Sequence, residues 1–156
     1  TRPTGGKAIL HNYDFTFAVV FNHNSSGIDI KNYYQLVNGA LNKTLNNLGI
    51  NSIIAAESAG RAKCRNSLCF SYSYDYEISY NGKKIVGTAQ RRLKRSTLVQ
   101  GTLPIKMDYS LYSRVFNTSE RIIRSQFCGV EDISETKLNP ESTADIFYDE
   151  LTQKLQ

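Results

Sequence analysis

The spacing of apolar residues changes several times along this chain, and each change predicts a different element. Residues 14–21, DFTFAVVF, are β-branched and aromatic with one charge at the start, which predicts a buried strand. The turn formers of NHNSSG end it. Over residues 28–48 the period lengthens: Tyr33, Tyr34, Val37, Leu41, Leu45 and Leu48 fall at helical spacing. Asp29 is placed to cap that helix and Gly49 to stop it. INSIIAA, residues 50–56, is a short strand, and the small, polar, aperiodic stretch at 57–70 is a loop.

Alternation then returns. In YDYEISYNGKKIVGTAQRR, Tyr74, Tyr76, Ile78 and Tyr80 alternate with polar residues, and Asn81-Gly82 is the strongest two-residue hairpin signal in the chain. KKIVGTAQRR is its return strand, and STLVQGTLPI is a third segment closed by Pro104, so an antiparallel meander is predicted. The remainder is helical: DYSLYSRVF, TSERIIRSQF, and a last helix opened by Pro140 with Ile146, Phe147 and Leu151 on one face. Clustered hairpins with helices outside them predict an α+β fold, a mixed but largely antiparallel sheet flanked by helices.

Composition narrows this picture. At 156 residues, 40% hydrophobic and 21% charged, the chain is one domain with a normal core, residues 1–156. Its longest apolar runs are short, nothing approaches a membrane span, and no signal peptide opens it, which leads to the expectation of a cytoplasmic protein. Cys64, Cys69 and Cys128 are odd in number and lack paired metal-ligand spacing, and His11 and His23 lie far from them. Free thiols in a reducing compartment are therefore expected, and no metal site. The net charge of +5 gathers in GKK and RRLKR, which is a solvated basic face, an RNA patch, or a docking surface for an acidic protein. Neither an aromatic RNA-binding motif nor a helix-turn-helix accompanies it, which counts against nucleic acid.

Two residues carry possible chemistry. Lys84 lies just past the hairpin, followed closely by Gly87, Thr88 and Ala89. A strand lysine usually snorkels to solvent, but small residues beside it leave room for a ligand against the backbone, with the ammonium over its carbonyl or phosphate. Cys69, in a loop with Lys63 and Arg65 near it in sequence, is either an inert thiol or a nucleophile with a depressed pKa. Cys64 competes for that role, while Cys128, in a predicted helix, reads as core.

Three blocks in order, RPTGGKAILHNYDFTFAVVF, CFSYSYDYEISYNGKKIVGTAQRR and LVQGTLPI, resemble the lipoyl and biotinyl protein ligase superfamily. The chain looks most like its cysteine-dependent octanoyl and lipoyl transferases, which are themselves similar to lipoate-protein ligase A. The resemblance implies a biotin/lipoyl protein ligase-like catalytic domain that moves an octanoyl or lipoyl group through a cysteine thioester onto a lysine of a lipoyl domain. It implies Cys69 as the acylated nucleophile and Lys84 as the donor to the acyl carbonyl. Arg2, Gly5 and Gly6 would border the acyl chain, Gly87, Thr88 and Ala89 would line its pocket, and His11 would shape it. An acyl carrier protein, or another octanoylated or lipoylated carrier, would be the donor and a lipoyl-domain protein the acceptor. The residues 91–95 would give a basic rim for that acceptor. No cofactor is implied. ATP and magnesium enter only in an alternative, an ATP-dependent lipoate-protein ligase working through an acyl-adenylate, and a non-catalytic lipoyl-protein-binding domain is the third reading. Thr1 stands where the family usually has a first arginine, and Gln100 where it has the histidine of an H-G pair. The segment that precedes the glycine motif in the family is expected to be missing from this domain.

Overall fold

The structure, a computed structural model, describes residues 8–24, 29, 32–54 and 76–155. The β-branched and aromatic run predicted as a buried strand at 14–21 forms β1 (Tyr13–Asn22), but it is buried along one face only, with Val20 exposed on the other. It is followed by α1 (Tyr33–Asn47), β2 (Ile53–Ile54), β3 (Ile78–Tyr80), β4 (Lys83–Lys84), β5 (Gly87–Arg92) and β6 (Ser96–Lys106). The helices α2 (Tyr109–Phe116), α3 (Glu120–Gln126) and α4 (Pro140–Gln153) complete the fold, with a 3-10 turn at Val130–Asp132 between the last two. Among the described residues no helix is long and apolar enough to cross a membrane.

The predicted meander is corrected into two antiparallel sheets, ordered β1-β6-β5 and β2-β3-β4. The Asn81-Gly82 turn forms as expected, both residues at positive φ (47° and 76°), which is the twist a two-residue hairpin needs. Its return strand, however, breaks after Lys84. Ile85 and Val86 are consecutive and both fully buried (0% and 1% exposed), whereas a continuous strand would turn one of two neighbours to the opposite face. The chain therefore steps from one sheet to the other across this pair, and Gly87 begins β5.

Helix α1 starts at Tyr33, later than the sequence pattern predicts. Asn32, not Asp29, stands at the N-cap, and the Asn32 N–H donates to the Asp29 carbonyl at 2.8 Å. The C-terminus matches the expectation: Gly49 sits at φ 81°, and the Ile50 N–H reaches back to the Leu45 carbonyl at 2.9 Å. That closure buries Ile50 as part of the helix stop, so of the strand predicted over 50–56 only β2 is formed within the described residues. Cys128 is buried as predicted but lies just past α3, not within a helix.

One face of the β1-β6-β5 sheet carries Phe15, Phe21, Val99 and Leu103 into the core. Helices α1 and α4 cover it, with Phe21 stacked on Tyr33 (ring centroids 4.2 Å) and Phe17 against Phe147 (5.1 Å). A smaller cluster of Tyr109, Tyr112, Ile123 and Phe127 packs α2 and α3 beside Ile9 and Leu10.

An ion pair ties the two covering helices together. Glu150 on α4 pairs with Lys43 Nζ at 2.7 Å and accepts from Asn47 Nδ2 at 2.8 Å, both on α1. The hydrogen bond from Lys43, outweighing burial, holds the Glu150 carboxyl below its ordinary range. A carboxyl whose folded pKa is depressed adds stability above its unfolded value of about 4.3, and that stability is lost as pH falls through the folded value. Glu150→Gln is expected to lower stability at pH 7 and to flatten the acid limb of urea unfolding measured below about pH 4. An unchanged acid limb would show that the helices are held by packing alone.

Candidate functional site

Cross-strand register builds the site. Gly87 pairs with Thr102 and Thr102 with Thr16, so these three form one row across the sheet. Ala89, Gln100 and Ala18 form the next row on the same face, because side chains on a strand point the same way at every second residue. This is the face turned away from α1 and α4. A cavity of about 550 Å³ opens over it, bordered by every member of these rows but Ala18, by Asp14 and Phe17 of β1, and by Ile9 and His11 just before that strand.

The floor is shallow in side-chain bulk. Gly87 and Ala89 contribute almost none, and Gly101 lies between the two rows on β6. Thr88 also borders the cavity, but its hydroxyl is committed to α1, donating to Asn38 Oδ1 at 2.8 Å. It ties the floor strand to the helix beneath it. The small residues of GTAQ thus do what a strand interior rarely allows, which is to leave space for a ligand against the backbone.

The lip is polar and ordered. His11 Nδ1 lies 2.5 Å from Asp14 Oδ2, which also accepts the Thr102 hydroxyl at 2.5 Å. Gln100 borders the same cavity.

Lys84 occupies a different setting. It is buried at 8% exposure in β4, and its ammonium pairs with the carboxylate of Glu77, itself 4% exposed. It does not line the cavity, from which the Ile85-Val86 step separates it along the chain. Of the residues expected from sequence, His11, Gly87, Thr88 and Ala89 therefore come together on one cavity, with Lys84 three residues upstream in the neighbouring sheet. Arg2, Gly5, Gly6 and Cys69 lie outside the described residues, as does Cys64. Cys128 is a free thiol, its pKa pushed up to about 11 by burial, which suits core and not nucleophile.

Sequence reading missed Asp14, Thr102 and Glu77. Asp14 sits three residues after His11, the reach of a tight turn, and Thr102, opposite Thr16, lies diagonally from it on the face shared with Gln100. Both signals exist in the sequence, but only the pairing of β1 with β6 brings them together. Glu77 is seven residues from Lys84 across a hairpin, a spacing that register alone makes meaningful.

Comparison with known proteins agrees with this architecture. The family model of the lipoyl protein ligase A/B catalytic domain matches residues 1–156. The chain is 35% identical over 117 residues to octanoyltransferase LipM of Carboxydothermus hydrogenoformans, covering 73% of this chain and 42% of that protein. It is 24% identical over 170 residues to octanoyltransferase LipM of Lysinibacillus sphaericus, covering 99% of this chain and 62% of that one. The chain thus spans about half the length of the curated relatives it matches. Among solved structures, a putative lipoate protein ligase of Thermoplasma acidophilum with bound lipoic acid superposes with a TM-score of 0.70 at 20% identity, covering 97% of this chain and 56% of the other. The α+β fold is that of these ligases, and the chain belongs to the lipoyl protein ligase A/B catalytic domain family.

Proposed function

We propose that this chain carries the chemistry of a protein acyltransferase, which moves an octanoyl or lipoyl group from a carrier thioester to Cys69 and then to a lysine of a lipoyl domain. The observation that carries this reading is the cavity of about 550 Å³ with its floor of Gly87, Ala89 and Gly101. Similarity to two octanoyltransferases supports it. An eight-carbon chain laid on that floor would gain about 0.8 kcal/mol per buried methylene.

The steps balance without a cofactor. The Cys69 thiolate attacks the donor carbonyl carbon, a new C–S bond forms, and the carrier thiolate leaves. The acceptor amine then attacks the same carbon, a C–N bond forms, and the Cys69 sulfur departs with the electron pair of the broken C–S bond. Activation resides in the donor thioester, so neither ATP nor magnesium is needed. Lys84, paired with Glu77 and off the cavity lining, is assigned by the resemblance alone as the cation for the acyl carbonyl oxygen, where charge develops in each tetrahedral intermediate. The family resemblance assigns Arg2, Gly5 and Gly6 to the acyl-binding side as well. The donor is an acyl carrier protein or another octanoylated or lipoylated carrier, and the exposed basic residues at 91–95 give an acidic lipoyl domain a complementary rim. A cytoplasmic setting keeps Cys69 reduced.

The test is incubation with an octanoyl carrier and a lipoyl-domain acceptor in the absence of ATP. Mass spectrometry is expected to find one octanoyl group on Cys69, followed by an octanoylated acceptor lysine, and Cys69→Ser is expected to lose both. Transfer that requires ATP and survives Cys69→Ser would replace this reading with the ligase. Neither adduct nor product would leave a binding domain.

A further inference from the structure

The lip of the cavity holds a proton-handling group that the acyl transfer steps above leave without a role. The Asp14 carboxylate takes the Thr102 hydroxyl at 2.5 Å and the Asn12 N–H at 3.1 Å, and His11 Nδ1 sits 2.5 Å from it. An ionised carboxylate can only accept hydrogen bonds, so Nδ1 must be the donor to it. A neutral His11 therefore has its proton on Nδ1 and its lone pair on Nε2. The support is rigid: the Asp14 side chain is 9% exposed, and Thr102, 2% exposed, holds it from the neighbouring strand. The imidazole itself is 53% exposed and borders the cavity, within reach of an incoming group.

We propose that His11 takes the proton released when the acceptor amine attacks the acyl group, and that Asp14 and Thr102 are its positioning residues. This rests on the acyltransferase reading. The acceptor lysine enters as the neutral amine, having lost its first proton to solvent. Its nitrogen attacks the thioester carbonyl carbon, the C–N bond forms, and the C–S bond breaks with its electron pair on the Cys69 sulfur. The second amine proton passes to His11 Nε2. The resulting imidazolium has both N–H groups, one on Asp14, and returns its proton to water. Among the described residues bordering the cavity, no other side chain suits this task at neutral pH. Thr16 and Thr102 are hydroxyls, Gln100 is an amide, and Asp14 is occupied. The arrangement follows the general logic of an imidazole fixed by a carboxylate in the tautomer its reaction needs.

Among the described residues, one titratable group pairs with His11 and another lies beside its neighbour Leu10. Asp14 comes from β1. From α2 comes the Tyr112 phenol, which donates to the Leu10 carbonyl at 2.6 Å. Burial, aided by the Asp14 charge, pushes that phenol up to about 12, so it stays neutral across the range in which a histidine titrates.

The test separates the two half-reactions. Octanoylated protein is isolated and mixed with lipoyl-domain acceptor in a single-turnover experiment, and loading of Cys69 from the octanoyl carrier is timed separately. His11→Gln is expected to slow transfer about 100-fold and to slow loading far less. Added imidazole is expected to restore part of the transfer rate. Asp14→Asn, which keeps the shape but lets an amide face Nδ1, is expected to slow transfer by at least about tenfold while loading stays close to that of the unaltered protein. If His11→Gln does not fold, Asp14→Asn and Thr102→Val carry the comparison. Loading and transfer falling together, with no imidazole rescue, would overturn the proposal and leave the network a structural clasp. Failure of the unaltered protein to load Cys69 at all would instead overturn the acyltransferase reading beneath it.

Discussion

Lys84→Met is expected to destabilise the fold by about 3–5 kcal/mol, because it strands a carboxylate in the interior. The Glu77 and Lys84 side chains are 4% and 9% exposed and form an ion pair. Neither can turn outward cheaply. Lys84 is paired through its backbone with Ser79 on β3 and bridged to Phe127 at the end of α3. Glu77 follows Tyr76, held at φ 70°, a left-handed conformation that side-chain-bearing residues rarely adopt. Losing the ammonium leaves Glu77 charged and buried, or forces it to take up a proton, and each costs free energy. Removing both charges is different, since a buried pair often contributes little net stability against an apolar replacement. The double variant Lys84→Met with Glu77→Leu is therefore expected to recover most of the loss in urea unfolding. If Lys84 polarises the acyl carbonyl, the same stable double variant should still transfer octanoyl at least about 100-fold more slowly than the unaltered protein. A single variant within about 1 kcal/mol of the parent would mean that Glu77 finds water, contrary to its burial. A double variant with full activity would remove Lys84 from the reaction.

This pair also marks the boundary of what the sequence discloses. Periodicity locates β1, α1, the Asn81-Gly82 turn and the three later helices, because each announces itself within a window of a few residues: apolar spacing, Gly49 at the helix stop, Pro140 at the start of α4. The GTAQ block locates the cavity floor for a similar reason, since three small residues in a strand are unusual in themselves. What the pattern hides is the switch between sheets at Ile85-Val86. Two adjacent apolar residues are compatible with one continuous strand, and only the tertiary context buries both. That switch separates the two: it leaves Lys84 in one sheet, paired with Glu77 just before β3, and Gly87 in the other, bordering the cavity. The clasp of His11, Asp14 and Thr102 is hidden likewise, because Thr102 lies 88 residues from Asp14 along the chain. Long-range pairing has no signature in local periodicity.

A methyl group at position 101 is expected to cost about 1–3 kcal/mol, a loss of several degrees in melting temperature for a domain of this size. A Cβ built on Gly101 would stand 2.4 Å from Phe17 Cζ, 2.7 Å from Phe17 Cε1 and 2.8 Å from the Gly87 carbonyl oxygen. The Phe17 ring has little room to retreat, because Phe147 of α4 packs against it with centroids 5.1 Å apart. The Gly87 carbonyl is backbone in a paired strand and can yield only if β5 shifts. Gly82 makes the comparison, since its Cβ would meet nothing within 4 Å and only its φ of 76° opposes a side chain. Gly82→Ala should therefore cost about 1 kcal/mol through backbone strain alone, and Gly101→Ala more than that through contact. Thermal unfolding of the two variants decides the order, and equal losses would refute the steric reading. Phe17→Leu added to Gly101→Ala should return part of the stability but not all, because the carbonyl contact remains. The crowding has a functional side as well. Phe17 and Gly101 both border the cavity, so crowding between them reshapes the wall proposed for the acyl chain. Gly101→Ala is thus expected to weaken use of an octanoyl donor more than that of a shorter acyl donor, and a loss independent of chain length would take position 101 out of the acyl wall.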